Sequence, residues 1–318
     1  LPKTAWPPTF FKILFRAMRL KNSSIYAPCR FKDGYGLKDE HIEKYVSEKC
    51  DLLITVDNGI AAISAISLAK EKGMDVIVLD HHEPITENGE LYLPVADVLV
   101  DPHVTTSDFD DLCGAGLSLV FAKEVLSRLS FVTVAQKKEI FHQMKSFAAI
   151  GTVGDVVSLK DHNRKIVKRG LDSINKHFCS CGLNVLLEEL DLSFVDVETV
   201  AFTLSPIINA SGRLYEDGAT FALNILTATK DSEDLRNCCK ELMSRNEERK
   251  EKTKIALKEA ELKMQSHMDD RVIVLVSSAS PGIVGLVAGK LTEEYNRPAI
   301  VLTKVGDILK GSGRSTEN

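Results

Sequence analysis

The chain contains 318 residues, of which 44% are hydrophobic and 27% are charged, and its formal net charge is −5. This length suffices for about two domains with sizeable cores, so folding requires neither disulfides nor metals. The acidic balance excludes a basic tail as the means of binding nucleic acid, and the lack of any run of about 18 uncharged apolar residues excludes a membrane-spanning helix.

The first half of the chain alternates between strand and helix patterns. Short apolar runs predict strands, and apolar and small residues at helical spacing, closed by Gly73, predict a helix between the first two strands. Near-continuous apolar strands joined by a helix are typical of a parallel sheet covered on both faces, so we predict an α/β fold. The predicted strands are 51–56, 75–79 and 96–100, and the predicted helix is 60–72.

The middle of the chain is predicted to be helical, and a second, smaller βαβ unit follows it. No Pro or Gly occurs between residues 232 and 267, where charges of both signs alternate, so we expect one long connecting helix and a domain boundary near residue 230. The predicted middle helices are 117–129, 135–149, 163–176 and 183–190, and the second unit comprises strand 271–276, helix 282–295 and strand 299–302.

Titratable residues follow the first two predicted strands. Asp57 ends the first strand, and the triplet Asp80-His81-His82 ends the second. Because the carboxyl ends of parallel strands lie at one edge of a sheet, where ligands of open α/β folds bind, we expect these side chains to lie together. The small residues of 151–154 could bring the carboxylate of Asp155 to the same place.

Aspartate and histidine without a thiolate form an oxygen and nitrogen donor set. Such a set suits Mn²⁺ or Mg²⁺, with Zn²⁺ also possible. Two such ions would activate a water molecule and stabilise an in-line displacement at phosphorus. The alternative is that Asp57 and Asp80 only cap helices, although two adjacent histidines have no capping function.

Several motifs in this sequence resemble those of the DHH phosphoesterase superfamily and, within it, the RecJ family of single-stranded-DNA exonucleases. The superfamily resemblance lies in residues 55–59, 80–82 and 151–155, and the narrower one lies in residues 28–31, 34–37, 101–103, 114–116, 163–164, 209–214, 281–285 and 311–315. The resemblance implies a DHH domain with a parallel sheet flanked by helices (1–230), a connecting helix (231–268) and a partial, smaller α/β DHHA1 domain (269–318).

The resemblance also implies roles for individual metal-site residues. Asp57 corresponds to a carboxylate that bridges two metal ions, and His81 and Asp155 to ligands of the second ion. His82 corresponds to a contact with the scissile phosphate, and Asp80 to a partner that holds an imidazole in place.

A second group of residues corresponds to substrate contacts. Arg213 would bind substrate phosphate with a bidentate guanidinium, and Asn209 belongs to the same motif. Gly311, Ser312, Gly313 and Arg314 would hold the nucleic-acid backbone. The alternative for Arg213 is a surface residue in a helix-start loop. Without the resemblance, a Gly-rich stretch such as 311–314 is more often a turn.

The implied function is a metal-dependent 5′–3′ exonuclease that acts on single-stranded DNA in repair and recombination in the cytoplasm, with no membrane contact. A single-strand-binding protein or a repair helicase is the expected partner. The alternatives are another DHH phosphodiesterase, such as one resembling an oligoribonuclease, and a non-catalytic DHH scaffold. The seven scattered cysteines fit reduced thiols in the cytoplasm.

The first motif of the family is an Asp-x-Asp-x-Asp-Gly stretch whose place corresponds to residues 1–6. No carboxylate occurs there, and the first acidic residue of the chain is Asp33. We therefore expect the chain to be a piece of a longer protein or a divergent copy. We expect it to hold at most one of the family's two ions and to have weak activity or none.

The segment 240–258 carries seven basic and four acidic residues. It has two interpretations, either a helix that follows the phosphates of a nucleic acid or a solvated helix face.

Overall fold

The computed structural model describes residues 6–28, 36–104 and 111–316. Helices and strands alternate in the first third of this part, helices dominate the middle, and a small sheet closes it. The helices are α1 (Trp6–Ala17), α2 (Asp39–Ser47), α3 (Ile63–Glu71), α4 (Gly114–Arg128), α5 (Val134–Gly154), α6 (Asp161–Asn175), α7 (Cys181–Glu189), α8 (Val197–Thr199), α9 (Ser205–Leu214), α10 (Gly218–Leu226), α11 (Glu233–Met264) and α12 (Val284–Tyr295). The strands are β1 (Leu52–Val56), β2 (Asp75–Leu79), β3 (Ile85–Glu87), β4 (Glu90–Tyr92), β5 (Val98–Val100), β6 (Ile273–Val276), β7 (Ala299–Val305) and β8 (Ile308–Arg314).

The first sheet is parallel and has the order β1-β2-β5. Its alternating side chains enter two different cores, because successive residues of a strand point to opposite faces. Val76 and Val78 of β2 pack with α2 and α3, whereas Leu79 joins a larger core built from α1, α4 and α5. The sheet is therefore covered on both faces, and the α/β prediction is confirmed.

The second sheet consists of β6 and β7 in parallel, with β8 antiparallel to β7. One face packs on α12 and on the last turns of α11 and forms a separate core, with Ile273, Leu275 and Val301 from the sheet and Val287 and Leu291 from α12. The helix α11 joins the core of this sheet to the larger core of the first sheet. Its first turns pack on the middle helices, and its last turns pack on this sheet. The proposed boundaries at 230 and 268 stay a prediction.

The predicted elements differ from the observed ones mainly at their ends, but α1 and α2 were not predicted, and α8, α9 and α10 were covered only by the general expectation of a helical middle. The helix predicted from residue 60 begins at Ile63, and the strand predicted from residue 96 begins at Val98. Residues 151–154, which follow the helix predicted at 135–149 and were expected to bring Asp155 to the sheet, are the last turn of α5. The hairpin of β3 and β4 and the strand β8 were not predicted. None of the described helices is long and apolar enough to cross a membrane.

Candidate metal centre

Three of the predicted site residues converge at the carboxyl edge of the first sheet. Asp57 follows β1, and His81 lies two residues beyond β2. The Nε2 atom of His81 lies 2.9 Å from Oδ1 of Asp57 and 3.4 Å from Oδ2 of Asp155. These side chains are only 14–16% exposed. The parallel register of β1 and β2 produces this convergence, since it pairs Val56 with Leu79 and so brings the two strand ends level.

Asp155 reaches the site from α5, where it forms the C-cap. Its amide donates to the carbonyl of Gly151, so the end of a buried helix fixes the position of its backbone. On the other side, α4 begins at Gly114, directly against Asp57. A Cβ atom on Gly114 would lie 2.7 Å from both Cβ and Oδ1 of Asp57. Glycine at the first position of α4 therefore allows the helix to approach the carboxylate.

Asp80 holds the loop that follows β1 and the loop that follows β2. It is 1% exposed, and its Oδ2 atom accepts a hydrogen bond from the amide of Ile60 at 2.9 Å. Its Oδ1 atom accepts one from the amide of His81 at 2.9 Å and one from Nδ1 of His82 at 2.6 Å. The capping alternative does not describe this carboxylate, because α3 begins three residues beyond Ile60.

His82 and His103 form the solvent side of the site. The His82 side chain is 50% exposed, and its ring centroid lies 4.6 Å from that of His81. Because Nδ1 of His82 is engaged with Asp80, Nε2 is the nitrogen available to a ligand. His103, which sequence reasoning did not single out, donates from Nε2 to the carbonyl of His81 at 3.1 Å. Its only sequence signal was its place in the motif at 101–103.

The charges in this cluster shift the pKa values of its members. Burial works against protonation of His81, but the hydrogen bond to Asp57 and the charges of Asp57 and Asp155 outweigh it and raise the pKa of His81. Burial, followed by repulsion from Asp57, raises the pKa of Asp155. Burial also opposes ionisation of Asp80, yet its hydrogen bonds lower its pKa. The site therefore contains carboxylates that repel each other.

The backbone is strained on two sides of the site. Asp57 has φ of +57°, and Val156, which follows Asp155, has φ of +59°. A positive φ is uncommon for aspartate and is an outlier for a β-branched residue. Strain of this kind persists only where the surrounding structure enforces it, and it occurs preferentially at functional sites.

The donor atoms fit a divalent cation. Ligand atoms of Asp57, His81 and His82 lie within 4.8 Å of one another. This set differs from the predicted set of Asp57, His81 and Asp155, although Asp155 lies 3.4 Å from the same imidazole nitrogen. A cation between the carboxylates would relieve the repulsion that raises the pKa of Asp155, and mixed carboxylate and imidazole donors suit Mn²⁺ or Mg²⁺.

The structure places the predicted substrate residues on the other sheet and at its junction with the helical core. Arg213 lies in the last turn of α9 and not in the helix-start loop of the alternative interpretation. It donates from Nη1 to the carbonyl of Gly282 at 3.3 Å. Asn209 is half-buried on the same helix.

Gly311, Ser312, Gly313 and Arg314 form the end of β8 and pair with β7, so the alternative interpretation of this stretch as a turn does not hold. Nη1 of Arg314 donates to Oγ of Ser312 at 2.9 Å. Gly285, in the first turn of α12, lies opposite both side chains, since a Cβ atom there would be 3.1 Å from Oγ of Ser312 and 3.4 Å from Nη2 of Arg314.

A groove of about 850 Å³ is lined by all of β1 and by Asp57 and Asn58. Aromatic residues line its wall, including Tyr26 and Tyr45, whose ring centroids are 6.2 Å apart. Ala219, at the start of α10, lines the same groove. Residues 29–35, which include parts of the motif segments 28–31 and 34–37, lie outside the described residues. So do five of the six residues (1–6) to which the first family motif corresponds.

Comparison with known proteins identifies the family. Residues 13–152 match the model of the DHH family, N-terminal domain. The chain is 36% identical over 298 residues to the single-stranded-DNA-specific exonuclease RecJ of Bacillus subtilis, covering 91% of this chain and 35% of that protein. It is 30% identical over 319 residues to the protein of the same name from Dickeya dadantii, covering 95% of this chain and 54% of that protein.

Solved structures agree with these matches. A crystal structure of exonuclease RecJ bound to manganese superposes with a TM-score of 0.82 at 29% identity, covering 99% of this chain and 76% of that one. RecJ from Thermus thermophilus in complex with Mn²⁺ superposes with a TM-score of 0.78 at 27% identity, covering 98% of this chain and 43% of that one. The fold and the site thus define a protein of the DHH family. Within that family, the chain is a RecJ-type protein.

The chain spans between about a third and just over half of the length of these two curated relatives.

Proposed function

We propose that this chain carries the catalytic half of a divalent-metal-dependent 5′–3′ exonuclease that hydrolyses phosphodiester bonds of single-stranded DNA. The observation that carries the proposal is the convergence of Asp57, His81 and Asp155 at the carboxyl edge of a parallel sheet. The names of its relatives support the substrate class. The proposal includes a role in repair and recombination in the cytoplasm, with a single-strand-binding protein or a repair helicase as partner.

In this proposal, Asp57, His81 and Asp155 hold the ion, which is Mn²⁺ or Mg²⁺, the ions in the RecJ complexes of Thermus thermophilus. A bound ion supplies positive charge for the transferring phosphoryl group. Binding requires Nε2 of His81 to release its proton, so binding and proton release are coupled. Asp80 fixes the loop and engages Nδ1 of His82. In its imidazolium form, His82 can then donate from Nε2 to a phosphate oxygen.

The substrate strand would contact both halves of the molecule. The first half contains α1 to α10 and β1 to β5, and the second half contains β6 to β8 and α12. Arg213 and Asn209 on α9 and residues 311–314 on β8 supply the phosphate contacts, and Tyr26 in the groove along β1 offers a ring for base stacking. The division at 230 and 268 assigns the metal to the first domain and the backbone contacts of β8 to the second. A locally basic cleft between domains is compatible with a net charge of −5.

The test is a calorimetric titration with Mn²⁺ combined with digestion of a single-stranded oligonucleotide labelled at either end. We expect one Mn²⁺ per chain, because the described residues form one ligand set, and we expect slow release of nucleotides from the 5′ end. The variant His81→Ala should lose both Mn²⁺ binding and oligonucleotide digestion. His162→Ala, which removes an exposed imidazole on α6, should keep both.

Three outcomes would contradict the proposal. Two tight Mn²⁺ sites would overturn the single ligand set. Preferential digestion of short RNA would favour a phosphodiesterase that resembles an oligoribonuclease. Oligonucleotide binding without any hydrolysis in Mn²⁺ would favour a non-catalytic scaffold.

A further inference from the structure

One face of α11 changes from apolar to polar and back along its length. Residues spaced by three and four along this face point inward, because such residues share one side of a helix. Leu235, Cys239 and Leu242 belong to the first core, and Ala256, Ala260 and Met264 belong to the second. Between these two blocks the same face carries Asn246, Arg249 and Thr253. These three residues form the polar seam of α11.

Arg249 is the only charged member of the polar seam, and its guanidinium is half-buried. Its Nε atom donates to Oδ1 of Asn246 at 3.1 Å, and Asn246 is 3% exposed, so the buried amide orients the fork. Among the described residues, neither Nη atom of Arg249 has a hydrogen-bond or ion-pair partner. A guanidinium offers five N–H donors. In Arg249 the hydrogen bond from Nε orients the group, and the N–H donors of both Nη atoms have no partner among the described residues.

The neighbouring Arg245 provides a contrast on the same helix. Its guanidinium lies 4.2 Å from the ring centroid of Tyr215 and 4.0 Å from that of Phe221. It also donates to Oγ of Ser211 at 2.7 Å and to the carboxylate of Glu241. The guanidinium of Arg245 is therefore engaged in contacts within the fold, whereas, among the described residues, the Nη donors of Arg249 are not.

The polar seam lies at the junction of the two halves, beside the predicted phosphate contact on α9. Tyr215 follows α9 and donates its hydroxyl to Glu248, the residue before Arg249. Arg213, two residues before Tyr215, donates to Gly282 of the second half. The turn after α9 then leads to Ala219, which lines the same groove as Asp57. Arg213 and Arg249 thus lie on facing elements of one junction.

We propose that Arg249 is a phosphate-binding residue of the junction and contacts the backbone of a single-stranded nucleic acid that crosses from one half to the other. This inference rests on the proposed function, because it deepens the description of its substrate site. A planar fork with free Nη donors matches the geometry of a phosphate. Burial lowers the pKa of Arg249 and only Glu247 opposes the shift, so an anion would be a favourable neighbour for this guanidinium. Of the two interpretations of segment 240–258, phosphate binding then applies to its inward face.

The experiment measures binding without hydrolysis. The full chain is titrated against a 5′-labelled twelve-residue oligothymidylate in EDTA at several NaCl concentrations, with fluorescence anisotropy as the readout. We expect Arg249→Gln to raise Kd about tenfold and to reduce the slope of log Kd against log salt by about 0.7, the value for one lost phosphate contact on a single strand. Arg249→Lys should keep the slope, because the charge remains, with a smaller loss of affinity.

Lys258→Gln is the matched control. It removes one positive charge from an exposed position of α11, nine residues beyond Arg249 and outside the spacing of the inward face. We expect it to leave Kd and its salt slope unchanged. A Mn²⁺ titration of each variant reports whether the first half remains folded, independently of the oligonucleotide.

The outcomes separate this inference from the proposed function. If the parent chain binds the oligonucleotide and Arg249→Gln binds with the same Kd and salt slope, the inference is wrong and the function is untouched. If Arg249→Gln lowers the thermal midpoint and leaves the salt slope unchanged, Arg249 is structural and the inference is equally wrong. If the slope falls but the parent chain does not hydrolyse DNA in Mn²⁺, the phosphate contact stands and the exonuclease proposal fails.

Discussion

Gly114 has no side chain, and this allows α4 to begin directly against Asp57. We predict that Gly114→Ala lowers the Mn²⁺ affinity by about 10- to 100-fold, the range found when a group that orients a ligand is changed. The added Cβ would lie 2.7 Å from Oδ1 of Asp57, so either the helix or the carboxylate must move. Calorimetric titration with Mn²⁺ measures the effect.

The control for this prediction is Gly116→Ala in the same helical turn. A Cβ there would lie 3.0 Å from Cδ2 of Leu112, the flexible end of a side chain that can move. Alanine also favours a helix by about 1 kcal/mol over glycine, so a purely local effect would stabilise both variants. An unchanged Mn²⁺ affinity in Gly114→Ala would show that the contact with Asp57 is not needed.

At the scale of single residues, the sequence indicated the centre of the site but not its surroundings. Asp57 and His81 follow strands whose parallel pairing was predictable from apolar runs, and the pairing brings them together. The partners of Asp80 and the position of His103 depend on loop conformations, including a positive φ at Asp57, that no spacing rule specifies. The roles of these residues stay a prediction.

Within α11, Glu259 ties the helix to the loop that follows β6. Burial works against its ionisation, but Lys263 and the hydroxyl and amide of Ser278 outweigh burial and lower the pKa of Glu259 to about 2. A carboxylate with a depressed pKa in the folded state stabilises the fold above its ordinary pKa of 4.5, and this contribution is lost as the pH falls toward 2.

We therefore predict that Glu259→Gln lowers the free energy of unfolding by about 1–2 kcal/mol at pH 7, a value reduced for the exposed part of the carboxylate. The difference between parent and variant should shrink steadily below pH 4.5. Urea unfolding at several pH values measures it. Glu251→Gln, at an exposed position of the same helix, is the control and should cost nothing measurable. A cost of Glu259→Gln that stays constant from pH 7 to pH 3 would contradict the assignment.

At the scale of elements, the predictable helices and strands were those with an uninterrupted pattern, which was apolar in β1 and β2 and free of Pro and Gly in α11. The pairing of β1 with β2 and the length of α11 followed from uninterrupted patterns. The strand β8 did not, because Gly311 and Gly313 are typical of turns and the pairing of β8 with β7 supplies the order that its own residues lack. All six residues of β3 and β4 are exposed, so this hairpin has no apolar alternation to reveal it.

The two halves of the molecule touch through backbone at Gly282. A Cβ atom there would lie 1.8 Å from the carbonyl oxygen of Arg213, so any side chain forces the halves apart. Because the ligands Asp57, His81 and Asp155 all belong to the first half, this displacement should not change the affinity for the metal. It should weaken the binding of a nucleic-acid strand that contacts both halves.

We predict that Gly282→Ala leaves Mn²⁺ affinity unchanged and weakens binding of a twelve-residue oligothymidylate at least about tenfold, equivalent to 1.4 kcal/mol. Overpacking of this kind costs about 1–3 kcal/mol, which is enough to shift one half against the other. Gly289→Ala, on α12, is the control, because no atom lies within 4 Å of its added Cβ. Calorimetry with Mn²⁺ and anisotropy with the oligonucleotide measure the two affinities separately. Equal losses of both affinities in Gly282→Ala would indicate general unfolding, and no loss in either would mean that the strand does not depend on the junction.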